Sequence, residues 1–318
     1  MRLLFLILFV LVTTNIYSQG LVFDNDLYQK RILLKRDRSD KYPKSFSLKA
    51  YAPYVFAQQN STCVAHAIAV ARTIAFAYNR KLTDIKVVSA NVFSPHWVYF
   101  RNKQLGDDNC SKGLNLENAI NDLIVHGIPR LVSVEYKEYY PFTKTVLCNY
   151  YPDSYNNDTN EALKYKIDEV YRINDLDGIK LALSKGMPIV VGMLIPDSFT
   201  KSNSKLWIPT ANDNLENSFG HSMVIVGYDD NAYGGSVEIM NSWGVNWGDH
   251  GFIRIKYSDF LKFTLGAYGF FEQFSLGSNH IIANDTSYSK DLKLSKSIDL
   301  KSKSLYFKHL KDFEPSVK

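Results

Sequence analysis

The sequence predicts an α+β protein, on three observations. The run Cys63 to Ala75 is apolar nearly all round and follows the polar cluster Gln58 to Thr62, the pattern of a buried helix with its start near Cys63. Much later, Gly220 to Asp230 and Val237 to Ile255 read as strand-like runs punctuated by Gly, Asn and Asp. Finally, 318 residues with 46% hydrophobic and 22% charged side chains have the composition of a soluble globular chain able to bury a real core.

Taken in order, residues 1–18 place Arg2 before the apolar run Leu3 to Val12 and small or polar residues up to Ser18. This is the layout of a secretory signal peptide, about half the ~20 apolar residues needed to cross a bilayer. It predicts a secreted or periplasmic protein with no membrane span once the signal is removed. Residues 19–45 are charged and without sustained period, and read as a short leader. Residues 46–277 alternate apolar runs with turn residues and form the folded domain, whereas 278–318 is a charged, loosely ordered tail. Of the net charge of +5, Arg2 carries +1 and the stretch 281–318 carries +3, so the body is close to neutral. A nucleic-acid partner is excluded on that ground, because a basic footprint belongs on the folded part.

Three segments carry the chemistry. Cys63 stands at the predicted helix start, where unpaired backbone N–H groups and the helix dipole favour thiolate over thiol. Read alone, the same residue is equally a small hydrophobe on a core helix. His221 opens the strand-like run Ser222 to Val226, and Asn241 opens a turn holding three glycines and two tryptophans, NSWGVNWGDHG. His66, on the nucleophile's own helix, is an alternative base that leaves His221 and Asn241 without purpose. His96, His126 and His250 read as ordinary helix or turn residues, and no spacing suits a metal.

Together the three segments resemble the papain-like cysteine peptidases, in which Cys at a central helix start, His on a strand and Asn-Ser-Trp-Gly follow in this order. His221 lies 158 residues after Cys63, and Asn241 a further 20 on. The stretches CSKGLNLENAINDLIVHGIPR, EYYPF and ALSKGMPIVVGM match further family segments. The resemblance implies a papain-like fold: a mainly helical half carrying the nucleophile, a sheet half carrying His and Asn, and the active site in the cleft between. Val64 replaces the aromatic residue of the best-known members, which points to a divergent, bacterial branch.

The resemblance also implies the roles. Cys63, His221 and Asn241 are the catalytic residues, and the oxyanion is held by the backbone N–H of Cys63 and by a glutamine, Gln58 or alternatively Gln59. Gly113, Leu114, Gly192, Ser222 and Trp243 contact the substrate, with Trp243 also shielding the His–Asn hydrogen bond. Cys110 and Cys148 remain for a disulfide. The expected partner is a peptide or protein substrate, with a protein inhibitor as a further one; no cofactor or metal is expected. A catalytically silent binding protein, or an acyl transferase or peptide ligase on the same triad, are the alternatives the residues leave open. With fewer than thirty residues before the fold, the leader is too short for a separate inhibitory domain, and the chain is expected to be active once its signal peptide is gone.

Overall fold

The computed structural model describes residues 20–37, 39–131 and 155–271, residues 155–158 as backbone only. The expected signal peptide, Cys148 and the expected tail 278–318 lie outside the described residues. Strand β1 (Leu21–Val22) and helix α1 (Asn25–Lys30) come first, then β2 (Ser45–Ser47). The helical half follows with α2 (Cys63–Asn79), α3 (Ile85–Ala90), α4 (Pro95–Asn102), the short strand β3 (Leu114–Asn115) and α5 (Leu116–His126). Helix α2 is central because its sequence allows no wet face: every residue from Cys63 to Ala77 is buried, with Ala at many positions so that neighbours approach closely. Its one basic side chain, Arg72, lies over the Phe93 ring, 4.8 Å from the centroid.

The sheet half contains β4 (Glu169–Ile173), β5 (Ile189–Ile195), β6 (Leu206–Trp207), β7 (Phe219–Asp229), β8 (Ser236–Met240), β9 (Phe252–Lys256) and β10 (Thr264–Phe271). Their order is β4-β10-β5-β7-β8-β9-β6, and β2 pairs with the far end of β7. The antiparallel register of β5 with β7 sets Gly192 opposite Ser222 and Met193 opposite His221. Continuous runs such as IVVGMLI are buried on both faces because helices, α2 among them, cover what would otherwise be a wet side. Helix α2 packs on β7, so the cysteine at its first turn faces the histidine-bearing end of that strand.

The segment 19–45, expected as a short leader, packs on the fold through its first described residues. Leu21 and Tyr28 are buried members of the core, and β1 pairs in parallel with β3, Leu21 opposite Leu114. No periodicity announced this, because the segment docks through scattered side chains rather than through a face of its own.

Candidate active site

Cys63 is the first residue of α2, fully buried, and its sulfur is in no disulfide. Thr62 occupies the cap position but its hydroxyl donates to Gln59 O at 2.7 Å and makes no cap bond, so its side chain leaves the first-turn amides available. The sulfur lies within hydrogen-bond reach of the backbone N–H of Ser222, and of the amides of Cys63 and Val64 at its own helix start. Those donors pull the thiol pKa down, as the sequence argument expects. Burial outweighs them and pushes it up to about 12, the reverse of the expected net shift.

His221 sits at the buried start of β7, and its ring lies over the Trp243 indole, with 4.5 Å between centroids and 26° between planes. Asn241 follows β8, with its backbone N–H given to Gly251 O across the Trp-Gly turn. Its amide orientation is settled by the backbone: Ser242 N–H donates to Asn241 Oδ1 at 2.8 Å, so that oxygen is an acceptor. His221 Nε2, 2.8 Å from the same oxygen, therefore carries the proton, and the buried, unpartnered Nδ1 is the basic nitrogen. Burial, opposed by the Asn241 bond, lowers the His221 pKa to about 4. Cys63 and His221 are thus a neutral thiol and a neutral imidazole in this arrangement.

The glutamine pair separates cleanly. Gln58 Oε1 accepts from Ser242 Oγ at 2.7 Å, its Nε2 donates to Asn60 O at 3.0 Å, and its backbone N–H donates to Ser242 O at 2.6 Å. Gln58 is therefore stitched to the residue after Asn241. Asn60 Nδ2 and Ser61 N–H bond Asn109 O and Cys110 O, which ties this turn to the loop before β3. Cys110 is in a disulfide, and Cys148, its expected partner, lies outside the described residues.

Gly113, Leu114, Gly192 and Ser222 also gather here, but what they touch is the chain's own leader. Leu114 N–H donates to Gly20 O at 2.9 Å. Gly113, at φ +70°, passes so close that a Cβ would lie 2.4 Å from Gly20 O, and a Cβ on Gly192 would meet Leu21 Cδ2 at 3.0 Å. The Leu114 side chain is buried, and Ser222 Oγ is buried without a partner. His66 bonds back to Thr62 O at 3.0 Å on its own helix. His126 pairs with Asp122, and the exposed His250 with Asp249. Among the described residues no cluster suits a metal ion, and no helix is long and apolar enough to cross a membrane.

The sequence pattern of the papain family cysteine proteases matches residues 55–265 of this chain. The chain belongs to the papain family. It is a papain-like cysteine peptidase, a hydrolase acting on peptides or proteins. Solved structures share the fold: xylellain, a cysteine protease from Xylella fastidiosa, has a TM-score of 0.62 at 24% identity, over 77% of this chain and 92% of that one. Procathepsin L2 from the larval midgut of Tenebrio molitor gives 0.60 at 20%, over 80% and 78%. Procathepsin B from Trypanosoma congolense gives 0.57 at 17%, over 76% and 82%.

Sequence reasoning missed Ser242 as the tether of Gln58, and Phe199, whose ring packs edge-on against Trp207 at 5.1 Å and Trp243 at 6.1 Å and lies 5.2 Å from Trp247. The Ser-Trp neighbourhood of Asn241 carried a signal for the first; nothing local carried one for the second. Leu21 and Arg31 were missed because their partners lie about a hundred residues away in a different half.

Proposed function

We propose that this chain is an exported thiol peptidase, secreted or periplasmic, whose reaction runs through Cys63, His221 and Asn241. The observation that carries the reading is the His221–Asn241 bond at 2.8 Å, which leaves Nδ1 as the basic nitrogen, while the helix-start cysteine lies against the backbone N–H of the next residue, Ser222. Nδ1 takes the thiol proton, and the sulfur attacks the scissile carbonyl carbon. The oxyanion that forms is met by the Cys63 backbone N–H and by a Gln58 amide hydrogen, Gln58 being held in place through Ser242. Collapse expels the amine with the proton returned from Nδ1, leaving a thioester on Cys63. Water, deprotonated by the same nitrogen, hydrolyses the thioester, and the thiol is restored. Trp243, stacked on the imidazole, keeps water from competing for Asn241 Oδ1.

In the arrangement described, the reaction is blocked by the leader. Strand addition at Gly113 and Leu114 is the recognition mode this edge offers a peptide, and β1 occupies it. The Gly20 carbonyl is engaged by Leu114 N–H and is not offered to the sulfur. The neutral state of Cys63 and His221 fits a covered, silent cleft.

Replacing Cys63 with Ala tests the core of this reading. Amide hydrolysis by the leader-displaced enzyme should vanish while the far-ultraviolet circular dichroism and Tm stay close to those of the parent. Retained hydrolysis in the Ala variant would remove Cys63 from the mechanism.

A further inference from the structure

We propose that the leader is a two-part device: a tip, Gly20–Val22, that leaves the cleft on activation, and an anchor, Asp24–Leu34, that stays as a permanent part of the active enzyme, with Phe23 as the hinge. This rests on the reading above, in which the leader blocks the cleft.

The two parts are held by different physics. The tip forms a strand of two residues on β3, with Leu21 against glycines and Val22 exposed at 37%. Its departure returns Leu114 N–H and a few small side chains to water, which solvates them readily. Of the core it takes away one side chain, Leu21.

The anchor starts with a fixed helix end, Asp24 Oδ1 accepting from Leu27 N–H at 3.0 Å. Tyr28, 5% exposed, inserts into the sheet half: its hydroxyl donates to Ile173 O at 2.8 Å and accepts from Ala267 N–H at 3.3 Å, bridging β4 and β10. Its ring meets Tyr268 edge-on at 5.1 Å. Arg31 grips Glu117 on α5 through Nε at 3.0 Å and Nη2 at 2.5 Å, and also bonds Asn121 Oδ1 at 2.8 Å. The Glu117 side chain is 2% exposed, so loss of Arg31 would strand a buried carboxylate, a strongly destabilising event. Beyond it, Arg172 N–H donates to Ile32 O and Leu34 N–H to Arg172 O, both at 2.9 Å, so the anchor also closes the edge of β4. Removing the anchor would open a ring-sized cavity, orphan backbone groups in the sheet, strand a buried carboxylate and uncover a strand edge, whereas removing the tip takes one buried leucine and one short strand pairing.

The test uses the chain from Gln19 to Lys318 and reads two quantities: the rate of Cys63 alkylation by iodoacetamide, and Tm. Leu21→Asp should speed alkylation about tenfold or more, the mark of a cleft that opens by roughly 1.4 kcal/mol or more, with Tm lowered less than by Tyr28→Ala. Tyr28→Ala and Arg31→Met should lower Tm by several degrees. Tyr28→Phe, which keeps the ring, guards against a variant that does not fold, and should lower Tm less without speeding alkylation to the Leu21→Asp level. Two outcomes would overturn the proposal: alkylation in Leu21→Asp no faster than in the parent, or Arg31→Met or Tyr28→Phe opening Cys63 as much as Leu21→Asp at unchanged Tm, which would mean that the leader releases as one piece. An opened Cys63 without peptide hydrolysis would instead count against the catalytic reading and leave the two-part leader standing.

Discussion

His221 and Trp243 form a stacked pair whose centroids are 4.5 Å apart, and the indole lies beside the 2.8 Å bond from His221 Nε2 to Asn241 Oδ1. The ring is thus fixed by one flat contact and one directional one, and its free nitrogen is the one left to do chemistry. Asn241→Ala removes the directional contact alone. In the leader-displaced enzyme, kcat should fall but not vanish, by no more than the ~10²–10⁴ that a positioned acid–base group contributes, and the tautomer seen by ¹⁵N NMR of His221 should become mixed. An unchanged kcat would show that stacking alone positions the ring.

The bond from Ser242 Oγ to Gln58 Oε1 separates two adjacent glutamines. Gln58→Ala should cost about 10²–10³ in kcat with KM little changed, the usual loss on removing one oxyanion donor. Gln59→Ala should cost a few-fold at most. Steady-state kinetics on both variants decides, and the opposite ranking would transfer the role to Gln59.

Acid should loosen the covered state. Burial lowers the pKa of His221 and of His66 to about 4. A histidine that binds its proton more weakly when folded contributes stability that is complete above about 6.5, its unfolded value, and is lost as pH falls toward 4. The Cys63 thiol, pushed up to about 12, has the opposite sign: its contribution is complete below the ordinary thiol pKa and is lost as pH rises toward 12. Tm should therefore be highest near neutrality and fall on both sides. His66→Phe should flatten the acid limb; an acid limb unchanged in that variant would assign it to other groups.

Phe199 is fully buried and packs among Trp207, Trp243 and Trp247. Phe199→Ala should destabilise the protein by about 3–5 kcal/mol, a large core ring lost with its cavity left behind, measured by urea unfolding. Because the cavity lies behind Trp243, kcat should fall more than KM rises. A loss under 1 kcal/mol would mean that the tryptophans collapse into the space.

The sequence by itself determined the family, the order of Cys63, His221 and Asn241, and the helix and strands that bear them. Each of those is a local matter: an unbroken apolar run makes a central helix, an alternation bounded by glycines makes a strand, and the Asn-Ser-Trp-Gly turn needs residue types that few other structures demand. The choice between Gln58 and Gln59 was open at that level, because the contact separating them comes from Ser242, 184 residues away. The net direction of the Cys63 shift was not legible for the same kind of reason. Helix-start amides are visible in a sequence, but the burial that outweighs them belongs to the assembled fold. The leader is the clearest case: Leu21, Tyr28 and Arg31 carry no periodic signal, and their partners Gly192, Ile173 and Glu117 are far along the chain. Only tertiary structure decided that the leader packs on Leu114, Gly113 and Gly192, since docking energy depends on complementary surfaces that form only once both halves are folded.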